Sequence, residues 1–215
     1  MRKLVIGNKN YSSWSLRPWL LMRQADLAFE EVRIPLYQAG SKENILRFSP
    51  AGKVPVLVDG EITVWDSLAI CEYLAECHPE KALWPHETRA RAQARAVSAE
   101  MHSGFANLRK HLPMNLRRSI PRAEFPAEVR AEIARIQTIW SDCRARYAHG
   151  GRFLFGGFCI ADAMYAPVVM RFRTYGVGLE GAAREYAAAI EALPALARWI
   201  ADARAEAEVL PEFEL

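Results

Sequence analysis

Three serines near the amino terminus stand where side chains could bind an anion or a thiolate. Ser12, Ser13 and Ser15 follow a predicted strand, Lys3–Ile6, and open a predicted helix, Ser15–Gln24. A helix N-terminus presents unpaired backbone N–H groups and the positive end of the helix dipole, so an anion placed there is stabilised. The serines could instead cap the helix, with Ser15 as the N-cap residue. Both roles can hold together, because one serine can cap while another faces a ligand.

Two further clusters could bind a peptide-like ligand. In the first, Lys53 and Val54 precede Pro55, which opens a strand; a cis Val54–Pro55 bond would expose the backbone polar groups of Val54, and an ordinary trans proline is the alternative. In the second, Asp66 and Ser67 begin a helix. They could simply cap it, or Ser67 could receive a carboxylate while Asp66 receives an ammonium group.

The first eighty residues predict an α/β unit that positions these clusters. Strand, helix and strand patterns follow one another, which predicts a βαβ unit with parallel strands. After a linking segment, two short strands flank Asp59-Gly60, a strong hairpin signal, and a helix follows. The predicted strands are Lys3–Ile6, Val32–Pro35, Val56–Val58 and Glu61–Val64.

The remainder of the chain predicts long amphipathic helices. Apolar residues recur at steps of three and four from Ala90 to Leu112 and again from Val129 to Tyr147. Further helices should begin near Ile160 and after Pro194. The composition changes near Trp84-Pro85-His86, which predicts one domain over residues 1–80 and a second over residues 87–215.

Composition excludes several classes of protein. The 215 residues carry a formal charge of only +3, too little to indicate a nucleic-acid partner. No apolar run approaches the roughly 18–20 residues of a membrane span, and the amino terminus lacks a signal-peptide pattern, so a cytoplasmic location without membrane association is expected. The four cysteines and five histidines form no metal-binding spacing, and no metal is expected.

Four motifs together resemble the cytosolic glutathione S-transferases, over essentially the whole chain. The first, with its Ser-Ser-x-Ser-x-Arg pattern, is most similar to the zeta class. The motifs are Ser12-Ser13-Trp14-Ser15-Leu16-Arg17, the segment from Ser49 to Leu57, the segment from Asp66 to Leu74, and Ile160-Ala161-Asp162. The resemblance implies a thioredoxin-like N-terminal domain of order βαβ-α-ββα joined to an all-helical C-terminal bundle, an α/β plus all-α architecture.

The resemblance also implies a reaction. Glutathione would be the co-substrate, with Ser12 donating a hydrogen bond to its sulfur and Ser13 assisting. The thiolate would attack a small electrophile, as in detoxification, and the protein would be a homodimer.

The remaining glutathione contacts follow from the same resemblance. Lys53 and the backbone of Val54 would hold the cysteinyl-glycine portion, with a cis Pro55 keeping Val54 in line. Asp66 and Ser67 would bind the γ-glutamyl ammonium and carboxylate groups. Asp66 stands where the family usually has glutamate, and its shorter side chain should still reach the ligand.

A second substrate would lie between the domains. The expected apolar contacts are Trp14, Met101, Phe105 and Met114, and the expected polar contacts are His102, Arg109, Asn115 and Arg117. Simple core packing is the alternative for the apolar residues.

Asp162 matches a buried capping aspartate of the family, whereas Cys159 replaces the usual serine or threonine, so a one-sided capping box is expected.

Two other functions remain open at this point. A zeta-like isomerase of maleylacetoacetate would use glutathione catalytically, although Trp14 replaces the cysteine of the zeta motif. A non-enzymatic binding protein of the stringent starvation protein kind would use the same fold. A thiol-transferase of the omega or beta kind is disfavoured, because it needs a cysteine at the Ser12 position and no cysteine precedes Cys71.

Overall fold

The computed structural model describes residues 1–214, and its first part is a mixed four-stranded sheet. The strands lie in the order β2-β1-β3-β4; β1 is parallel to β2 and antiparallel to β3, and β3 is antiparallel to β4. This confirms the βαβ unit and the hairpin. The elements are β1 Lys3–Ile6, α1 Ser13–Gln24, β2 Glu30–Arg33, α2 Ser41–Leu46, β3 Val56–Asp59, β4 Ile62–Trp65 and α3 Ser67–Cys77.

The second part consists of helices, as expected, and the combined architecture is thioredoxin-like plus all-helical. A 3-10 turn at Pro79–Lys81 connects the two parts, and another lies at Pro211–Phe213. The helices are α4 Thr88–Ser103, α5 Ala106–His111, α6 Ala127–Tyr147, α7 Ile160–Tyr175, α8 Gly181–Glu191 and α9 Pro194–Ala205. None of the helices in residues 1–214 is long and apolar enough to cross a membrane.

One apolar core runs through both parts of the molecule. Helix α1 packs on the sheet with one side and against α7 and α9 with the other, and the rings of Trp19 and Trp199 meet edge to face at 5.0 Å. A smaller cluster of Val5, Ile34, Ile45 and Val56 fills the other face of the sheet, beneath α2. Because α1 belongs to both packing layers, the loop before it is held by the α/β part and the helical part together.

The strand register brings three connections to one edge of the sheet. Val5 of β1 lies opposite Val56 of β3, and Val56 lies opposite Trp65 of β4. The loop leaving β1, the segment entering β3 and the turn leaving β4 are therefore neighbours. The hairpin loop at the opposite edge is Gly60–Glu61, one residue later than the sequence predicted, since Asp59 itself pairs with Ile62.

The predicted helix from Ala90 to Leu112 is two helices. The break falls at Gly104 and Phe105, where Phe105 adopts a left-handed φ of 55°. A Cβ on Gly104 would stand 2.7 Å from the carbonyl oxygen of Glu100, so this conformation requires glycine. The carboxylate of Glu132 then accepts hydrogen bonds from Asn107 N and Leu108 N, which caps α5 from a distant helix.

The capping box of α7 is two-sided, contrary to the expectation for Cys159. Asp162 Oδ2 accepts a hydrogen bond from Cys159 N at 2.8 Å, and the Cys159 sulfur in turn receives the backbone N–H of Asp162. Asp162 Oδ1 also accepts from Leu154 N at 3.1 Å. Sulfur is a weak acceptor but fills the same position as a hydroxyl, so the box closes without serine or threonine.

Candidate functional site

Ser12 is the N-cap residue of α1, three residues before the predicted cap. Its Oγ accepts a long hydrogen bond from Ser15 N at 3.4 Å and lies 2.8 Å from Ser15 Oγ. Ser15 Oγ also accepts the N–H of Gly7 at 3.1 Å. Two adjacent hydroxyls can exchange donor and acceptor roles by rotation. Ser15 can therefore donate to Ser12, which leaves the Ser12 proton free for a ligand sulfur.

Ser13 faces the helical part of the molecule. Its Oγ accepts a hydrogen bond from Arg171 of α7 at 2.9 Å, and Arg171 also donates to the carbonyl oxygen of Leu112. Arg171 is buried, and burial, together with the charge of Arg109, lowers its pKa to about 10. The guanidinium thus fixes the start of α1 to α7. Sequence reasoning missed this contact, because 158 positions separate the two residues.

The Val54–Pro55 peptide bond is cis, as the resemblance implied. The β3 ladder begins at Val56, so the N–H and C=O groups of Val54 lie outside it. Lys53 is exposed, with its side chain in solvent. This segment enters β3 at the sheet edge that carries the Ser12 loop.

Asp66 and Ser67 occupy the same edge at the start of α3. Asp66 Oδ1 accepts hydrogen bonds from Leu68 N at 2.9 Å and Ala69 N at 3.3 Å, so the predicted helix cap is confirmed. Ser67 is 1% exposed, and its Oγ accepts a hydrogen bond from Arg17 at 3.3 Å. The capping role therefore uses one oxygen of Asp66 and leaves the other available for different partners.

Arg17 connects Ser67 to the start of α1. Its guanidinium carbon lies 4.3 Å from the centroid of the Trp14 ring, and within residues 1–214 its buried Nε has no hydrogen-bond partner. Burial above all, with the charges of Arg171 and Arg109, lowers its pKa to about 9. The buried guanidinium itself places a positive charge beside Ser67, which favours an anionic ligand there. The Ser-Ser-x-Ser-x-Arg motif includes this arginine, but the sequence did not predict its contacts with Ser67 and Trp14.

The expected contacts for a second substrate divide into two groups. Met101, Phe105 and Met114 are buried in the apolar core, so core packing explains them. Trp14 is only partly buried; the His102 ring meets it edge-on at 5.3 Å, and the Arg109 guanidinium lies 5.6 Å from its centroid. Trp14, His102 and Arg109 therefore form a cluster of packed side chains where α1 meets α4 and α5.

Asn115 and Arg117 instead secure the loop before Ser12. Asn115 Oδ1 accepts from Asn10 Nδ2 at 3.1 Å, and Asn10 Oδ1 accepts the backbone N–H of Arg117 at 3.0 Å. The Arg117 side chain donates to the Tyr11 hydroxyl at 2.6 Å and to the carbonyl oxygens of Glu206 and Glu208. These contacts give both residues a structural role.

The C-terminal segment from Glu206 to Glu214 covers the same loop. The Glu206 carboxylate accepts the N–H groups of Lys9 at 2.6 Å and Asn10 at 3.1 Å. The Phe213 ring lies 5.5 Å from the Tyr11 ring. Burial raises the pKa of Glu206, and its two backbone hydrogen bonds oppose that shift. Nothing in the local sequence pattern indicated that this segment returns to the first loop.

We expect Glu206→Gln to destabilise the protein by about 1–2 kcal/mol and to lower turnover several-fold. The amide has one acceptor oxygen and places an NH2 group against the second backbone N–H. Urea unfolding and steady-state rates measure the two effects. Glu212→Gln, an exposed position on the same segment, is the matched control. Equal stability and rates for both variants would contradict a role of Glu206 in holding the loop.

Comparisons with known proteins identify the family. The family model for the glutathione S-transferase N-terminal domain matches residues 11–77, and the model for the C-terminal domain matches residues 126–202. The two matches together cover well over half of the chain. The chain therefore belongs to the glutathione S-transferase family, and the predicted resemblance is confirmed.

Individual relatives agree with this result. Glutathione S-transferase GstB of Escherichia coli K12 is 28% identical over 183 residues, which is 80% of this chain and 83% of that protein. A probable maleylacetoacetate isomerase of Caenorhabditis elegans is 39% identical over 97 residues, 45% of this chain and 44% of that protein. The chain thus aligns with less than half of the worm protein.

Solved structures support the fold. A glutathione transferase homolog from Burkholderia gl BGR1, with bound glutathione, matches with a TM-score of 0.68 and 23% identity, covering 96% of this chain and 99% of that one. A glutathione transferase from Populus trichocarpa matches with a TM-score of 0.72 and 18% identity, covering 96% and 100%. In residues 1–214, no group of three or more His, Cys, Asp or Glu side chains could hold a metal ion.

Proposed function

We propose that the protein conjugates glutathione to small electrophiles and that Ser12 stabilises the glutathione thiolate. The observation that carries the proposal is the convergence of three clusters at one sheet edge: Ser12 after β1, Val54 before β3, and Asp66 with Ser67 after β4. Glutathione, a peptide with a thiol at its centre and a zwitterionic γ-glutamyl end, requires these three kinds of contact.

Each contact has a proposed role. The backbone of Val54 pairs with the cysteinyl portion, and Lys53 neutralises the glycyl carboxylate. Ser67 and the N–H groups at the start of α3 receive the γ-glutamyl carboxylate, and Arg17 adds positive charge behind Ser67. Asp66 receives the ammonium group. Ser13 supports the start of α1 through Arg171.

The energetics of thiol ionisation fit this arrangement. A thiol of pKa about 8.5 is only ~3% thiolate at pH 7, and a shift of two units requires about 2.7 kcal/mol. A hydrogen bond to a charged acceptor supplies about 1.5–3 kcal/mol, and a helix N-terminus about 0.3–1 kcal/mol. The thiol proton passes to solvent, the sulfur forms a bond to the electrophilic carbon, and the leaving group departs with its electron pair.

A glutathione-dependent isomerase is the second candidate. The 39% identity to a probable maleylacetoacetate isomerase over 97 residues favours it. In that reaction the thiolate would add to a cis double bond and depart after rotation about the resulting single bond. The same Ser12 contact would serve both reactions. A comparison of the turnover of maleylacetoacetate with the turnover of aryl halides therefore distinguishes them.

We also propose a cytoplasmic homodimer with domains of residues 1–80 and 87–215. Ile62 and Trp65 of β4, the edge strand of the sheet, are half exposed. Val64 of the same strand lines a groove of about 720 Å³ together with Tyr73 and Trp84. An exposed apolar strand next to an aromatic groove is a suitable surface for a second copy. Sedimentation of the protein and of Trp65→Glu would test it.

Retention on glutathione-agarose tests the proposal directly. We expect the protein to be retained and to elute with free glutathione, because all three contacts are present. Ser12→Ala combined with Asp66→Ala should abolish retention, since each removes a group that touches the ligand. Asp142→Ala, an exposed position on α6, is the control and should be retained. An unmodified protein that flows through the column would overturn the assignment and favour a non-enzymatic binding protein.

A further inference from the structure

We propose that His102 of the helical part is a positioning residue for glutathione: it holds the Asp66 carboxylate in the orientation that receives the γ-glutamyl ammonium group. This inference rests on the proposed function and adds a residue to the binding site.

Both oxygens of Asp66 are fixed by protein partners. Oδ1 caps α3 through Leu68 N and Ala69 N, and Oδ2 lies 3.1 Å from His102 Nε2. Each carboxylate oxygen has two lone pairs, and Asp66 is exposed. One lone pair on each oxygen thus fixes the carboxylate plane, while the others remain accessible to a ligand. The cap alone would leave the Oδ2 side without a partner.

The surroundings of His102 favour the neutral ring. Within residues 1–214, its Nδ1 atom is buried without a hydrogen-bond partner. The Nε2–H tautomer donates to Asp66 and leaves only an acceptor at Nδ1, whereas an imidazolium would bury an unpaired N–H. Burial first, then the charges of Arg17 and Arg109, lower the pKa of His102, and the Asp66 carboxylate opposes them.

A neutral donor suits the role of Asp66. A lysine or arginine at this position would form an ion pair with the carboxylate and would weaken its attraction for an ammonium group. Neutral His102 fixes the geometry and leaves the full negative charge to the ligand. The charged groups around it come from three elements: Arg17 on α1, Asp66 before α3 and Arg109 on α5.

Trp14 holds the ring and links the two ends of the ligand site. The rings of Trp14 and His102 meet at 78° with centroids 5.3 Å apart. Trp14 lies two residues after Ser12, and Arg17 stacks on it while donating to Ser67. His102 is therefore packed against the segment that carries the proposed thiolate contact, and this packing restricts its rotation.

Calorimetric binding of two S-methyl peptides tests the inference. One is S-methylglutathione. The other carries a glutaryl group in place of the γ-glutamyl group and therefore lacks the ammonium group. We expect His102→Ala to lower the affinity for S-methylglutathione about tenfold, which corresponds to about 1.4 kcal/mol. The analogue should bind equally to the variant and the unmodified protein, since it never uses Asp66.

Further variants separate positioning from a purely structural role. His102→Gln, whose amide N–H can reach Asp66, should recover binding to within about threefold of the unmodified protein. His102→Ala in an Asp66→Asn background should produce no further loss, because the carboxylate is already gone. In turnover, the KM for glutathione should rise more than kcat falls. His111→Ala on α5 controls for removal of an imidazole.

Three outcomes would overturn the inference. They are an equal loss for both peptides, no loss for either, and an additive loss in the Asp66→Asn background. Failure of the unmodified protein to bind S-methylglutathione at all would instead overturn the proposed function. If His102→Ala does not fold, the affinities of His102→Gln and of the unmodified protein for the two peptides are compared instead. A loss of affinity of more than threefold for S-methylglutathione, without a loss for the glutaryl analogue, would contradict the proposed donor geometry.

Discussion

Replacement of Ser12 by alanine is expected to lower turnover of an aryl halide by tenfold or more at about pH 6.5. The hydroxyl supplies about 1.5–3 kcal/mol to the bound thiolate, so its loss raises the pKa of the glutathione thiol by roughly one to two units. Below both pKa values the rate follows the thiolate fraction, which falls by about tenfold for each unit.

The pH dependence distinguishes loss of thiolate stabilisation from general damage. With Ser12 present, the thiolate forms at lower pH, and the rate should level off early. In Ser12→Ala the rate should continue to rise with pH and approach that of the unmodified protein once the thiol ionises unaided. The pH–rate profile and the ultraviolet absorbance of the bound thiolate measure the same shift independently.

Two controls follow from the local structure. Ser12 also caps α1 through Ser15 N, so the alanine variant should lose about 1 kcal/mol of unfolding free energy, measured by urea denaturation. Ser12→Thr keeps a hydroxyl and should retain most of the rate. If the pH–rate profile of Ser12→Ala is identical to that of the unmodified protein, the thiolate contact belongs to Ser15 or to the backbone N–H groups of α1.

The parts of the site that the sequence predicted are those with local signals. Ser12 follows a strand and precedes a helix, Pro55 precedes a strand, and Asp66 has the residue type and position of an N-cap. Each signal involves only a few neighbouring residues, which backbone geometry restricts strongly. The placement of all three at one edge also required the antiparallel pairing of Val5 with Val56, which neither the βαβ pattern nor the hairpin pattern predicts.

The contacts that the sequence did not reveal join distant parts of the chain. Arg171 reaches Ser13, His102 reaches Asp66, and Glu206 reaches Lys9. No periodicity encodes such pairs, because they depend on how the helical part packs against the α/β part. Helix α8 was also missed, although Ala183, Tyr186, Ala187 and Ile190 form a regular buried stripe that could have identified it.

Asp162 is the position where we expect the largest effect on stability. It is fully buried and accepts hydrogen bonds from Leu154 N and Cys159 N. Asp162→Ala removes both acceptors and leaves two buried N–H groups unpaired, at about 1–3 kcal/mol each. The unfolding free energy in urea at about pH 4, where the buried carboxyl is protonated, should therefore fall by about 2–5 kcal/mol. Asp142→Ala on the exposed face of α6 should change it little.

The titration of Asp162 gives this prediction a distinctive pH dependence. Burial raises its pKa to about 6 against the two backbone hydrogen bonds, whereas the unfolded chain has a value near 3.8. Between these values the folded state binds a proton that the unfolded state has released. The contribution of Asp162 is thus most favourable below about pH 4 and declines as pH rises to about 6, by roughly 3 kcal/mol in total.

Asp162→Asn isolates that contribution, because asparagine does not titrate. The unfolding free energy of the unmodified protein minus that of the variant should decrease from pH 4 to pH 7, and it should then stay constant. Taking the difference cancels the other carboxylates, among them Glu206, whose pKa burial also raises, and Asp59, whose pKa the bond from Arg2 lowers. If the difference instead increases over this range, the hydrogen bonds from Leu154 N and Cys159 N contribute more free energy than burial of the carboxylate charge costs. The capping box would then stabilise α7 most strongly when Asp162 is ionised.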